Sequence, residues 1–237
     1  MSEKRYTYED FLEIIKTLRG ENGCPWDREQ THMTLRPCLS EEACEVNAAI
    51  RILEETGNAG NLREELGDVL LQVVMHAQIA GEEGLFTMED VVQEVSEKMV
   101  RRHPHVFGEI EVSGSGQVLE NWEEIKKKEK EGRTVLSTPL REIPRELPAL
   151  TRASKVIKKA DKLYEPQGEY ASAVKALREA ADKLASITPG DYSPDAVREV
   201  GDALMALANI SRICKLSPEQ ILTDRIEDMI TTFEGLS

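Results

Sequence analysis

Ser40-Glu41-Glu42-Ala43-Cys44-Glu45, and further on Glu65-Leu66-Gly67-Asp68, set the architecture expected of this chain. In each run a carboxylate pair is spaced by three, Glu42 with Glu45 and Glu65 with Asp68, so both members project from one helix face. Leu39, Ala43, Val46, Ala49, Ile50 and Leu53 recur at helical spacing around the first run. Leu62, Leu66, Val69, Leu70, Val73 and Ala77 do the same around the second, and each set forms an apolar arc. Glu42 lies inside its arc and Glu45 on the edge, while Glu65, Asp68 and Gln72 border theirs. A carboxylate turned toward a core is costly unless something cationic compensates it. Two facing helices would turn Glu42, Glu45, Glu65 and Asp68 inward together, which suits a hard divalent cation, magnesium first and manganese as the alternative. Glu41 and Glu64 point further out and read as solvated charge.

Working outward, the chain of 237 residues is long enough for one large or two small domains with a real core. Hydrophobic residues at 40% and charged residues at 31% fit a globular protein. Aromatics are only 5%, and the abundance of Ala, Leu, Glu and Lys favours helix over sheet. A net charge of -14 argues against binding nucleic acid or an anionic membrane surface. It leaves room for a small polyanion, because a metal and local Lys/Arg can reverse the field inside one pocket. Cys24, Cys38, Cys44 and Cys214 show no paired metal-ligand spacing, which speaks against zinc and for a reduced, cytoplasmic setting. The segment Met1–Asp10 has no apolar signal core, and no stretch reaches transmembrane length.

A first helix is expected from Thr7 or Tyr8 to Arg19, burying Phe11, Leu12, Ile14, Ile15 and Leu18. Gly20 and Gly23 end it and lead into the compact run Gly23-Cys24-Pro25-Trp26-Asp27-Arg28-Glu29-Gln30-Thr31-His32. A Gly57/Gly60 turn separates the two acidic helices. Thr87 with Asp90 forms a capping signature for a fourth helix carrying Val91, Val92, Val95 and Met99. That helix runs out in Lys98-Met99-Val100-Arg101-Arg102-His103-Pro104-His105. Val112–Gln117 reads as a loop, and Trp122-Glu123-Glu124-Ile125-Lys126 as the opening of a charged helix. The segment 132–149, with Pro139, Pro144 and Pro148, reads as a linker between residues 1–131 and 150–237.

The second half echoes the first. Glu199-Val200-Gly201-Asp202 matches Glu65-Leu66-Gly67-Asp68, Glu179-Ala180-Ala181-Asp182 stands in place of Glu42-Ala43-Cys44-Glu45, and Ser217 stands where Thr87 stood. Three matches in one order point to duplication of a four-helix unit. The copy is diverged: Asp228, Thr231 and Thr232 replace Lys98, Arg101 and Arg102, and nothing follows that matches Trp122 or Lys126.

Carboxylates that hold magnesium beside a Lys/Arg cluster suit phosphate-ester chemistry, in which cations neutralise transferring and leaving oxygens. Arg contacts phosphate through two nitrogens at once and Lys as a point charge. Trp26 or Trp122 can stack on a base. Each signal has a plainer reading: an Arg pair at a helix end is commonly a solvated cap, a Trp beside Pro a packing anchor, His103 and His105 structural, and His76 part of the core.

Taken in order, the run from Gly23 to Thr31, the Glu-Glu-x-x-Glu and Glu-x-x-Asp signatures, Arg101-Arg102-His103-Pro104-His105-Val106-Phe107 and Trp122-x-x-Ile125-Lys126 resemble the MazG family. Pro148-Ala149-Leu150, then Arg152-Ala153 and Lys155, resemble that family's junction into a second domain. The resemblance implies tandem all-α helical-bundle domains and a magnesium-dependent hydrolysis of a nucleoside triphosphate to the monophosphate and pyrophosphate. It implies Glu42, Glu45, Glu65 and Asp68 as metal ligands, Lys98, Arg101 and Arg102 on the phosphates, and Trp122 with Lys126 against the nucleotide. It implies homodimers whose helices complete each bundle. Glu41 or Glu42 would orient or deprotonate the attacking water. Two rivals remain: a narrower relative acting on dUTP, dCTP or phosphoribosyl-ATP, and a regulatory protein that binds nucleotide without turnover.

Overall fold

The computed structural model describes residues 4–130, 138–164, 169–188, 190 and 193–235. All regular structure among them is helical, with no strand. The chain divides into two compact units, residues 1–131 and 132–237. None of the described helices is long and apolar enough to cross a membrane.

The first unit begins with α1, Tyr8–Arg19. The Thr7 side chain accepts from the Asp10 backbone N–H and the Asp10 carboxylate accepts from the Thr7 backbone N–H, so the helix start leaves few donors unmet. Gly20 closes the helix. Gly23 is required by space: a Cβ there would lie 2.1 Å from the Leu18 carbonyl oxygen, which already accepts the Cys24 N–H. The short α2, Pro25–Glu29, follows with Pro at its first position. Arg19 fixes this segment. Its side chain is 6% exposed, donates to the Asp27 and Gln30 carbonyls, and pairs with Glu82 at 2.7 Å. Among the sequence signals Arg19 stood out only as a helix end, because its partners are distant along the chain.

Helices α3, His32–Thr56, and α4, Gly60–Glu82, pack against each other as a hairpin. Gly57, at φ +72°, makes the turn in a conformation that glycine adopts without strain. Ile15, Leu35, Val74, Met75 and Ile79 form the core at one end of the hairpin, with Phe11, Leu12, Leu18, Leu71 and Met88 around it. Each such side chain contributes about 1.5–3 kcal/mol by leaving water. Two sequence expectations are corrected here. Ile14 is exposed, because α1 meets α4 along the Phe11–Ile15–Leu18 side and Ile14 points away. The apolar arcs are not fully enclosed either: Leu39, Ile50, Leu66 and Leu70 are exposed, since α1 covers only the far end of the hairpin.

Helix α5, Met88–Arg102, starts with the Thr87/Asp90 capping box and packs on α4. Of the apolar residues that it carries, Val92 and Val95 are exposed, whereas Val91 and Met99 are partly covered. His103 ends the helix and Pro104 restarts the chain as α6, Pro104–Phe107. Helix α7, Ser115–Lys130, packs against α5. It begins earlier than Trp122, inside the expected Val112–Gln117 loop. The Gln117 side chain turns back to accept from the Ser113 N–H and hydroxyl, an arrangement that caps the helix despite its Gly/Ser start.

In the second unit a 3-10 turn, Pro139–Glu142, precedes α8, Ala149–Leu163, α9, Tyr170–Leu184, α10, Pro194–Ile213, and α11, Pro218–Glu234. Helices α9 and α10 pair, α8 packs on α10, and α11 contacts both α8 and α10. Ser217 caps α11 by accepting from the Gln220 N–H. Of the expected linker, residues 132–137 lie outside the described residues. The Pro139–Glu142 turn packs on α8, where Lys159 pairs with Glu142 at 2.8 Å, and Ile143 is buried.

Candidate active site

The facing of α3 and α4 brings three carboxylates together. One oxygen each from Glu42, Glu45 and Glu65 lies within 4.8 Å of the others, the one such grouping found among the described residues. Glu42 and Glu65 are half-buried and Glu45 is exposed. Burial pushes the Glu42 carboxyl above its ordinary range, helped by a hydrogen bond with Glu45 and by repulsion from Asp68, Glu45 and Glu65. Burial likewise raises Glu65, with repulsion from Glu45, Glu64 and Asp68, while Asn61 donates to it at 3.1 Å and opposes the shift. Asp68 thus adds its charge to the group from one turn further along α4, although its oxygens are not among the three that converge. Glu41 is exposed on α3, next to Glu42.

The cations sit at the end of α5. Arg102 meets Glu129 through two nitrogens, with Nη2 at 2.6 Å and Nε at 3.2 Å, and Arg101 Nε lies 2.8 Å from the same carboxylate. These contacts hold the Glu129 carboxyl down to about 2, with Arg102 the larger cause. Lys98 and Lys126 are half-buried on α5 and α7. Trp122 lies against His103 with ring centroids 5.6 Å apart, and His103 against His105 at 5.7 Å. The indole N–H of Trp122 and Nδ1 of His105 are buried without a hydrogen-bond partner among the described residues. Trp26 is 63% exposed on α2, held there by Arg19 rather than by packing of its ring. His76 does not sit in the core as expected. It stacks on His32, Nδ1 to Nδ1 at 2.8 Å, where burial and then the His32 charge depress its pKa.

The second unit has a different arrangement at the matching place. A cavity of about 310 Å³ is lined by Glu179, Lys183, Glu199, Asp202 and Asn209 among others. Glu199 is buried and pairs with Lys183 at 3.1 Å and Arg198 at 3.4 Å, which lowers its pKa, Lys183 foremost. There a lysine supplies the positive charge.

The profile of the MazG nucleotide pyrophosphohydrolase domain matches residues 30–107, which span α3 to α6 and hold the carboxylates and the arginine pair. The chain is 37% identical to the nucleoside triphosphate pyrophosphohydrolase/pyrophosphatase MazG of Thermotoga maritima, over 100% of this chain and 88% of that one. It is 39% identical to the nucleoside triphosphate pyrophosphohydrolase of Escherichia coli K12, over 85% of this chain and 76% of the relative. The Bacillus subtilis protein YabN is 42% identical over 92% of this chain, which spans 44% of YabN. An overlap that takes in the acidic hairpin, both units and nearly all of a relative's length leaves one assignment: the chain belongs to the MazG family of nucleotide pyrophosphohydrolases.

Proposed function

We propose that this protein is a magnesium-dependent nucleoside triphosphate pyrophosphohydrolase, converting NTP and water to NMP and pyrophosphate, with its active site in residues 1–131. The observation that carries the reading is the convergence of Glu42, Glu45 and Glu65, with Asp68 one turn away. The donors are all carboxylate oxygens, and burial with mutual repulsion holds Glu42 and Glu65 short of charge balance. Both features fit a hard divalent ion, magnesium or manganese. When bound, it would polarise the phosphate and lower the pKa of a water.

The chain's own groups supply the rest. Glu42, Glu45, Glu65 and Asp68 hold the cation. Lys98, Arg101 and Arg102 offset the triphosphate charge and the charge that develops on leaving pyrophosphate. Trp122, with its buried N–H, and Lys126 bound the nucleotide, and Trp26 offers an exposed ring face. Glu41 or Glu42 takes the proton of the water that attacks the α-phosphorus, as the bond from that phosphorus to the leaving pyrophosphate oxygen breaks. A homodimer is supported by the exposed Leu39, Ile50, Leu66 and Leu70 on the hairpin that carries the site. The net charge of -14 supports small-molecule partners over nucleic acid, and the four free cysteines support a reduced, cytoplasmic setting.

A panel of canonical, deoxy and damaged triphosphates with magnesium, products resolved as NMP or NDP, tests the reading. NMP with pyrophosphate supports it. NDP with orthophosphate, or binding without turnover, contradicts it. Activity confined to dUTP, dCTP or phosphoribosyl-ATP would favour the narrower relative.

A further inference from the structure

We propose that Glu129 is a positioning residue for the phosphate clamp: its carboxylate gathers the Arg101 and Arg102 side chains into a single anion-binding pair. The inference rests on the reading of those arginines as phosphate contacts.

Consecutive helix residues diverge by about 100° around the axis. Left to α5 alone, Arg101 and Arg102 would therefore point to different sides. In the structure both reach one carboxylate on α7, Arg101 through Nε at 2.8 Å and Arg102 through Nε at 3.2 Å and Nη2 at 2.6 Å. The Glu129 side chain is 13% exposed and that of Arg102 17%, so the pairing is partly withdrawn from water. Arg101 is half in solvent, at 51%.

The edge that Glu129 uses matters. It engages the Nε side of each guanidinium. No hydrogen bond among the described residues reaches Nη1 of either arginine or Nη2 of Arg101. These terminal nitrogens are the donors that suit a phosphate oxygen. A carboxylate acting as a stand-in for substrate would occupy the terminal forks; this one leaves most of them available. Two guanidinium charges on one carboxylate also leave a net positive site, to which Lys98, one turn back on α5, adds. Glu129 stays ionised across the physiological range, so the arrangement persists wherever the enzyme would work.

The test is steady-state pyrophosphate release by the full chain at saturating magnesium, with the preferred triphosphate of the panel above. Glu129→Ala is expected to raise KM at least fivefold while kcat stays within twofold. Glu129→Gln, which keeps an acceptor oxygen, is expected to fall between wild type and Ala, and it carries the test alone should the Ala variant fail to fold. On an Arg101→Ala/Arg102→Ala background, Glu129→Ala is expected to add nothing. An unchanged or lower KM for both Glu129 variants would overturn the proposal, the lower value marking the carboxylate as a competitor of phosphate. The same KM rise without the arginines would overturn it as well, since Glu129 would then act on the fold. Arg101→Ala/Arg102→Ala with wild-type KM would instead remove the phosphate reading beneath it.

Discussion

Burial and the neighbouring carboxylates oppose the charging of Glu42, and its variants separate ligand duty from packing. Its pKa is raised in the folded state by burial and by Glu45, Asp68 and Glu65. A raised folded value means that the group's stability contribution is full below the unfolded pKa and is lost as pH rises through the folded one. At neutral pH in the absence of metal, the cluster therefore strains the fold. Glu42→Gln is expected to leave the apo melting temperature unchanged or raised, while cutting turnover by about a hundredfold or more; Asp68→Asn should behave alike. Wild-type rates in either variant at saturating magnesium would show the site to be misassigned. The same sign predicts that the melting shift produced by magnesium is large at pH 7.5 and shrinks toward pH 5, as Glu42 and Glu65 take up protons that compete with metal. A shift independent of pH, followed by calorimetry, would place the metal elsewhere. At the end of α5, Arg101→Ala with Arg102→Ala should raise KM tenfold or more, since a charge-assisted contact is worth about 1.5–3 kcal/mol.

Local signals governed what could be read at the level of elements. Thr87 with Asp90, the start of α1 and the Gly57 turn were legible because caps and left-handed glycines act over a few residues. The facing of Glu42 and Glu45 with Glu65 was legible because carboxylates on an apolar arc need a common cation. What escaped depends on distant partners. The start of α7 hides behind Gly114 and Gly116, since Gln117 closes the end from inside the helix. The exposure of Ile14 follows from where α4 lies, which its own helix does not state. Arg19 is the clearest such case. It ties α1, the α2 segment and α4 together, and lowers the pKa of Glu82, first through its hydrogen bond. Arg19→Ala is expected to cost about 2 kcal/mol through the lost charge-assisted bonds, and to lower the melting temperature by several degrees without touching the carboxylate cluster. Thermal melts with and without magnesium check this: a variant as stable as wild type would show that the segment is held by its own turns.

Across the whole molecule, the family is shared by the full chain, whereas the site chemistry differs between its two units. In the first the carboxylates converge with no ion pair to a Lys or Arg among the described residues; in the second, Lys183 pairs with Glu199 and depresses its pKa. Asp228, Thr231 and Thr232 then stand on α11 where α5 carries Lys98, Arg101 and Arg102, so an anionic substrate would meet negative charge. The divergence was legible as substitutions, but the lysine counter-charge was not, since Lys183 and Glu199 meet only when α9 packs on α10. On these differences we propose that hydrolysis belongs to residues 1–131 and that residues 150–237 support the fold, a dimer or another ligand. The most direct measurement compares NMP formation by two double variants of the full chain. Glu65→Gln with Asp68→Asn should abolish it, whereas Glu199→Gln with Asp202→Asn should leave it within a few-fold of wild type. Activity that survives the first pair and is lost with the second would contradict the account.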